Sequence, residues 1–227
     1  MSKQAWIIFS VVVVALLGSL VYLSSKDKID VSKVDEKSVL AATDKSGNIA
    51  DHVYGKKDSE VILIEYADFQ CPGCAGSHPQ IKAITEEYKD KIAFVFRNFP
   101  LTNAHPNARA AAAAVEAAGL QGKYWEMNNI IFENQENWKA ANTDERDSLF
   151  TQYAIEAGVN KSKFENALTD ANIGKKISFD QALGKKVKVT GTPSFFLNGS
   201  ALGEAVTNNV IQSDGSQLKK LLDEALK

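Results

Sequence analysis

The stretch "EYADFQCPGCAGSHPQIKAI", residues 65–84, holds both cysteines of a 227-residue chain, Cys71 and Cys74, with only Pro72 and Gly73 between them. Upstream, "VILIEY" (61–66) is an apolar, β-rich run that reads as a buried central strand with one acid, Glu65, inside it. Pro72 suits the first turn of a helix, where its missing N–H would be unpaired anyway, and the residues after it continue helically, with Pro79 expected to bend them. "IAFVFRNF" (92–99) is the next strand, so strand, helix and strand follow in the order that makes a right-handed parallel crossover.

Three roles are open to a cysteine pair at this spacing. A structural staple is a poor one, because the entropy a disulfide removes from the unfolded chain grows with loop length and a two-residue loop removes little. Zinc would need a fourth ligand beyond Cys71, Cys74 and His78, and neither a second cysteine pair nor the usual histidine spacing is present. A c-type haem needs histidine where Ala75 stands. Thiol chemistry remains. At the start of a helix the Cys71 sulfur meets unpaired N–H groups and the positive end of the helix dipole, which favours thiolate. Cys74, three residues on, lies on the same side and can attack a mixed disulfide formed at Cys71.

Working outward, residues from Pro106 to about Lys186 read as nearly continuous helix, with a capping box at Asn142–Glu145 before "RDSLFTQYAIEAG". "TPSFFLNGSALG" returns to strand, with a hairpin turn at Asn198-Gly199, and Asp214 and Gln217 are placed to cap a last amphipathic helix. An ordinary crossover takes about a dozen residues. The long helical block is therefore an inserted subdomain.

The amino-terminal residues differ in kind. Ala5 to Leu23 carries no charge over 19 residues, and as a helix it reaches about 28 Å, enough to cross a bilayer. Bulky Tyr22 and Leu23 end the run without an A-x-A pattern, so an uncleaved anchor is favoured over a cleaved signal, with the amino terminus inside and the rest outside. Residues 26–48 mix lysines with acids and read as a polar tether, with a short helix near 34–42. Net charge is −2, from 26 basic and 28 acidic residues, which gives no field to attract nucleic acid.

With these elements in place, the chain resembles the DsbA-like branch of the thioredoxin superfamily, especially membrane-anchored or secreted bacterial thiol:disulfide oxidoreductases. "EYADFQCPGC", the strand and helix around it, the helical insert and "GTPSFFLNG" (191–199) carry the likeness, from about residue 52 to about 206. The resemblance implies a thioredoxin-like α/β fold over 49–227 with a helical insert at about 103–187, preceded by an N-terminal transmembrane helix in 1–25. It implies that Cys71 is the exposed attacking cysteine and Cys74 the buried resolving one. Thr192 and Pro193 would form a cis-proline loop that, with Pro72 and Gly73, receives an extended substrate segment, and Glu65 would be a buried acid that moves protons at Cys74.

No metal and no organic cofactor are expected. The expected partners are cysteine-containing substrate proteins and a membrane redox partner that resets the pair, in a single-pass protein of the cell membrane whose catalytic domain is extracytoplasmic. Oxidation of substrate thiols is the favoured direction. A reductase or isomerase of the same fold, or a non-catalytic peptide-binding or chaperone module, are the alternatives, and Pro-Gly between the cysteines departs from the Pro-His of strongly oxidising relatives. Of the neighbouring residues, Asp68 reads as a loop cap, His78 as exposed, His105 in "HPNA" as structural and Trp125 as core.

Overall fold

The computed structural model describes residues 3–26 and 29–227. The chain divides after Asp30 into two compact units. The first holds helix α1 (Lys3–Lys26), which coincides with the charge-free run; Trp6, Ile7, Phe9, Val12, Val14 and Leu17 on it are all exposed. Among the described residues, no helix is long and apolar enough to cross a membrane.

The second unit, Val31–Lys227, is built on a five-stranded sheet. Its elements run β1 (Val53–Gly55), β2 (Ile62–Ala67), α2 (Pro72–Glu87), β3 (Ala93–Asn98), α3 (Ala108–Gly119), α4 (Tyr124–Glu133), α5 (Gln135–Trp138), α6 (Thr143–Glu156), α7 (Lys161–Ala167), α8 (Ala171–Lys186), β4 (Ser194–Leu197), β5 (Ser200–Ala201), α9 (Glu204–Ile211) and α10 (Ser216–Ala225). The strand order is β1-β3-β2-β4-β5. β2 and β3 are parallel, with Ile64 opposite Val95, and β4 lies antiparallel to β2, with Phe195 opposite Glu65. The β2–α2–β3 crossover thus forms as the apolar runs predict. The β4–β5 turn uses Asn198 (φ 48°) and Gly199 (φ 79°), the two left-handed residues a tight hairpin requires.

Side chains alternate across the sheet. On one face Leu63, Phe94 and Phe195 pack with Ile81 and Ile84 of α2 and Leu218 and Leu222 of α10. Further along that face Phe96 joins a second apolar core, made with Phe69, the alanines of α3, Phe132 and Trp138. On the other face lie Tyr66 and Arg97, and there α8 approaches so closely that a Cβ on Gly184 would stand 2.6 Å from the Phe99 ring and 3.1 Å from Tyr66. Glycine is what lets this helix touch the sheet.

Three expectations change here. Residues 31–48 are not a free tether, and the helix expected near 34–42 is replaced by turns and a short 3₁₀ turn at Asp44–Ser46. Buried Arg97 accounts for this: its guanidinium donates to the carbonyls of Glu36 and Ser38 and pairs with Asp51 at 2.8 Å, drawing the segment onto the sheet. Lys186 adds a pair to Glu36 at 2.7 Å. The third change is at α10: Asp214 accepts from the Ser216 N–H at 3.0 Å, but the cap residue is Gly215, with no side-chain cap from Gln217. The Asn142–Glu145 capping box forms as expected.

Candidate active site

Cys71 is the N-cap of α2, in extended conformation, with Pro72 in the first turn. The loop that delivers it is latched from several sides. Asp68 accepts from the Gln70 N–H at 2.7 Å through one carboxylate oxygen, and through the other from Leu101 N–H at 2.7 Å, where it also pairs with His105 Nδ1 at 2.7 Å. Asp68 is therefore the expected loop cap, and His105 its structural partner. Gln135, which no local pattern singles out, donates to the carbonyls of Phe69 (2.7 Å) and Cys71 (3.0 Å). Gln70 ties the same loop to the insert by accepting from Asn107 N–H and donating to the Lys139 carbonyl, both at 2.7 Å.

The Thr192–Pro193 peptide is cis, and its loop stands against the cysteines although more than a hundred residues separate them. The Cys71 thiol donates to the Thr192 carbonyl at 3.3 Å. A Cβ on Gly73 would meet Pro193 Cδ at 3.3 Å, so the dipeptide and the proline ring are already in contact. Crowding by this loop leaves Cys71 only 8% exposed, more enclosed than the open sulfur expected of an attacking cysteine. Cys74 is fully buried, and both are free thiols.

The two sulfurs are set apart electrostatically. A hydrogen bond from Cys74, helped by one from Thr192 and by the backbone N–H groups of Cys74 and Gly73, brings Cys71 down from 9.0 to about 5 against the opposing effect of burial. Burial, then the hydrogen bond to Cys71 and the charges of Cys71 and Glu65, pushes Cys74 well above its ordinary value. At neutral pH one sulfur is thiolate and the other thiol. Glu65 is 4% exposed, and burial, followed by the negative charge on Cys71, raises it to about 8. The strand acid is thus buried and protonated at neutral pH.

His78 differs from expectation. It is buried rather than exposed, its ring stacks on Phe132 at 4.7 Å between centroids, and burial lowers its pKa to about 4. Trp125, read as core, is only partly buried: it packs against both apolar cores and keeps one side open to a cleft. Among the described residues no group of three or more histidine, cysteine or acidic side chains is placed to hold a metal.

Comparison with known proteins bears on the fold that carries these residues. The chain is similar in structure to alpha-DsbA1 of Wolbachia pipientis (TM-score 0.62, 25% identity, covering 77% of this chain and 89% of that one). It is similar in fold to oxidised BdbD of Bacillus subtilis (TM-score 0.65, 19% identity, 83% and 98% covered) and to MdbA, a thiol-disulfide oxidoreductase from Corynebacterium diphtheriae (TM-score 0.60, 20% identity, 81% and 98% covered). In sequence it is 34% identical over 149 residues to Na(+)/H(+) antiporter NhaA 3 of Salinispora tropica, over 66% of this chain and 22% of that protein. It is likewise 34% identical to NhaA 1 of Salinispora arenicola over 70% of this chain and 24% of that protein, so the chain spans under a quarter of these relatives' length. The match that takes in the strand, the cysteine helix, the insert and the proline loop together is to the Thioredoxin family model, over residues 47–218, and the chain belongs to that family.

Proposed function

We propose that this chain is a membrane-anchored, extracytoplasmic thiol:disulfide oxidoreductase that oxidises substrate proteins through Cys71 and Cys74. The observation that carries the reading is the split between the sulfurs: Cys71 held near 5 beside the Thr192–Pro193 loop, Cys74 buried and kept as thiol. In the oxidised enzyme a substrate thiolate attacks Cys71 Sγ and the Cys71–Cys74 bond breaks. Its electron pair goes to Cys74, which takes up a proton, and the substrate is left disulfide-bonded to Cys71. A second substrate thiolate attacks the substrate sulfur of that bond and releases Cys71 as thiolate. Two electrons have then passed to the enzyme, and a membrane electron acceptor must remove them.

The same split supports the oxidising direction. A stabilised Cys71 thiolate favours the reduced enzyme and makes Cys71 a good leaving group, raising the reduction potential by tens of millivolts, in order of magnitude. Glu65, protonated at neutral pH and electrostatically coupled to Cys74, serves as proton donor and acceptor when Cys74 changes state. The anchor is supported by α1, on which Trp6, Ile7, Phe9, Val12, Val14 and Leu17 are exposed, as suits lipid rather than water. Ion transport is named for the antiporter relatives, but this chain's own site supports thiol exchange.

Equilibration with glutathione tests the reading. An oxidant has a potential near that of protein disulfide isomerase or DsbA, about −180 to −120 mV; a value near −270 mV, that of thioredoxin, would reverse the proposed direction. Offered disulfide-bonded substrate proteins, a Cys74→Ala chain should accumulate reducible adducts, because the Cys71 thiolate attacks the substrate disulfide and the Cys74 thiol that would resolve the mixed disulfide is gone; their absence would remove the catalytic reading altogether.

A further inference from the structure

A cleft of about 470 Å³ opens between α2, α4 and the sheet, with Glu65 in its lining. Its size is that of a small-molecule site. The walls are aromatic: Trp125 stands 5.5 Å from Phe94 and 5.5 Å from Tyr54, between ring centroids, and Phe96 continues the same surface. Four polar side chains in its lining are more than nine-tenths buried, Glu65, His78, Asn128 and Thr85, the last satisfied by the Ile81 carbonyl. His78 Nε2 and Asn128 Nδ2 have no hydrogen-bond partner among the described residues.

Unpartnered polar atoms in an aromatic cleft are costly, about 1–3 kcal/mol each, unless something meets them. The chemistry of these groups states what that is. Asn128 Nδ2 can only donate, and Glu65, neutral at neutral pH, carries a second donor. Two donors in the lining of an aromatic slot ask for an acceptor oxygen on a flat ring. An anion does not suit: the rim cation, Lys82, is paired with Glu133 at 2.6 Å, and His78 is uncharged at neutral pH.

The geometry points to a second ligand site, distinct from the cysteine pair, that takes an uncharged flat aromatic carbonyl compound of one or two rings, its oxygen accepting from Asn128 and Glu65 and its rings against Trp125 and Phe94. The assignment stands whether or not the cysteines cycle. Because the ligand touches the acid coupled to Cys74, occupancy also reports to the redox pair.

Calorimetry of the full chain in lipid nanodiscs, with empty nanodiscs as blank, tests it with 1-indanone as probe and indane, which lacks the oxygen, as comparator. The expected result is saturable one-to-one binding of 1-indanone, about tenfold tighter than indane, the equivalent of one net hydrogen bond. Asn128→Leu, which replaces an unmet donor with an apolar side chain of similar size, should erase most of that difference. Ala83→Trp, at the exposed mouth of the cleft, should abolish binding of both compounds without touching the core. Absence of saturable heat, equal binding of the two compounds, or 1-indanone binding that survives Ala83→Trp would each overturn the assignment.

Discussion

The sulfur of Cys71 lies 3.3 Å from the carbonyl oxygen of Thr192, a contact between the first turn of α2 and the loop before β4. The sheet makes it, because β2 and β4 are hydrogen-bonded neighbours and each delivers one side of the site. The largest single influence on that sulfur is nevertheless local, the hydrogen bond from Cys74. Thiolate absorbance near 240 nm, or the rate of alkylation against pH, should show Cys71 ionising near 5 in the native chain. In Cys74→Ala the midpoint should move upward, toward 9.0, because the leading hydrogen bond is gone.

The same ionisation fixes how stability depends on pH in the two redox states. Cys71 has its folded pKa lowered, from 9.0 to about 5, so the stabilisation it gives the reduced form is complete above 9 and is lost as pH falls through 5. The disulfide form has no thiolate to lose. The difference in melting temperature between reduced and oxidised protein should therefore shrink steadily from pH 9 to pH 5. A constant difference across that window would show that the thiolate is not what stabilises the reduced form.

How much was legible follows from the range of each interaction. The β2–α2–β3 unit, the capping box at Asn142 and the Asn198-Gly199 turn are written in local patterns, since propensity, capping and left-handed φ act within a few residues. Pro72 placed Cys71 at a helix start for the same reason. β1 has only three residues and takes its strand geometry from pairing with β3, so it carries no periodicity of its own. Gln135 holds the Phe69 and Cys71 carbonyls from more than sixty residues away, and no local pattern distinguishes it from a surface glutamine. His78 looks polar in sequence and is stacked on Phe132 in the fold, a contact that depends on where α4 packs. The 31–48 segment misled for a related reason: its composition is that of a tether, and its order comes from backbone carbonyls that meet Arg97, which composition does not encode.

Glu65 costs stability at neutral pH. Its pKa rises from 4.5 unfolded to about 8 folded, so between those values the unfolded chain releases a proton that the folded one retains, and stability falls as pH rises. Glu65→Gln removes the titration and keeps the shape. It should stabilise the protein by up to ~3 kcal/mol at pH 7, with little effect at pH 4, as read by urea denaturation. If Glu65 moves protons for Cys74, the same variant should also slow disulfide exchange while leaving the Cys71 midpoint close to its native value.

The buried ion cluster on the opposite face of the sheet gives a prediction of the reverse kind, large in stability and small in chemistry. Lys176 Nζ lies 2.9 Å from Asp51 and 2.8 Å from Asp180, and Arg97 reaches Asp51 at 2.8 Å, all of them buried. Burial opposes ionisation of Asp51, yet the charges of Lys176 and Arg97 hold its pKa down to about 2, whereas burial prevails at Asp180 and raises it to about 6. Removing one cation from such a group leaves a buried carboxylate uncompensated, a loss of about 3–5 kcal/mol. Lys176→Met should show that loss in urea denaturation at pH 7. The loss should be smaller at pH 5, where Asp180, freed of its cation, takes up a proton and no longer carries charge into the core. None of these groups figures among the influences on Cys71, so whatever fraction of the variant remains folded should still titrate near 5. A shift of that midpoint together with stability would mean that the cluster, through Asn98 and its hydrogen bonds to Asp180 and Glu116, sets the cysteine loop as well as the fold.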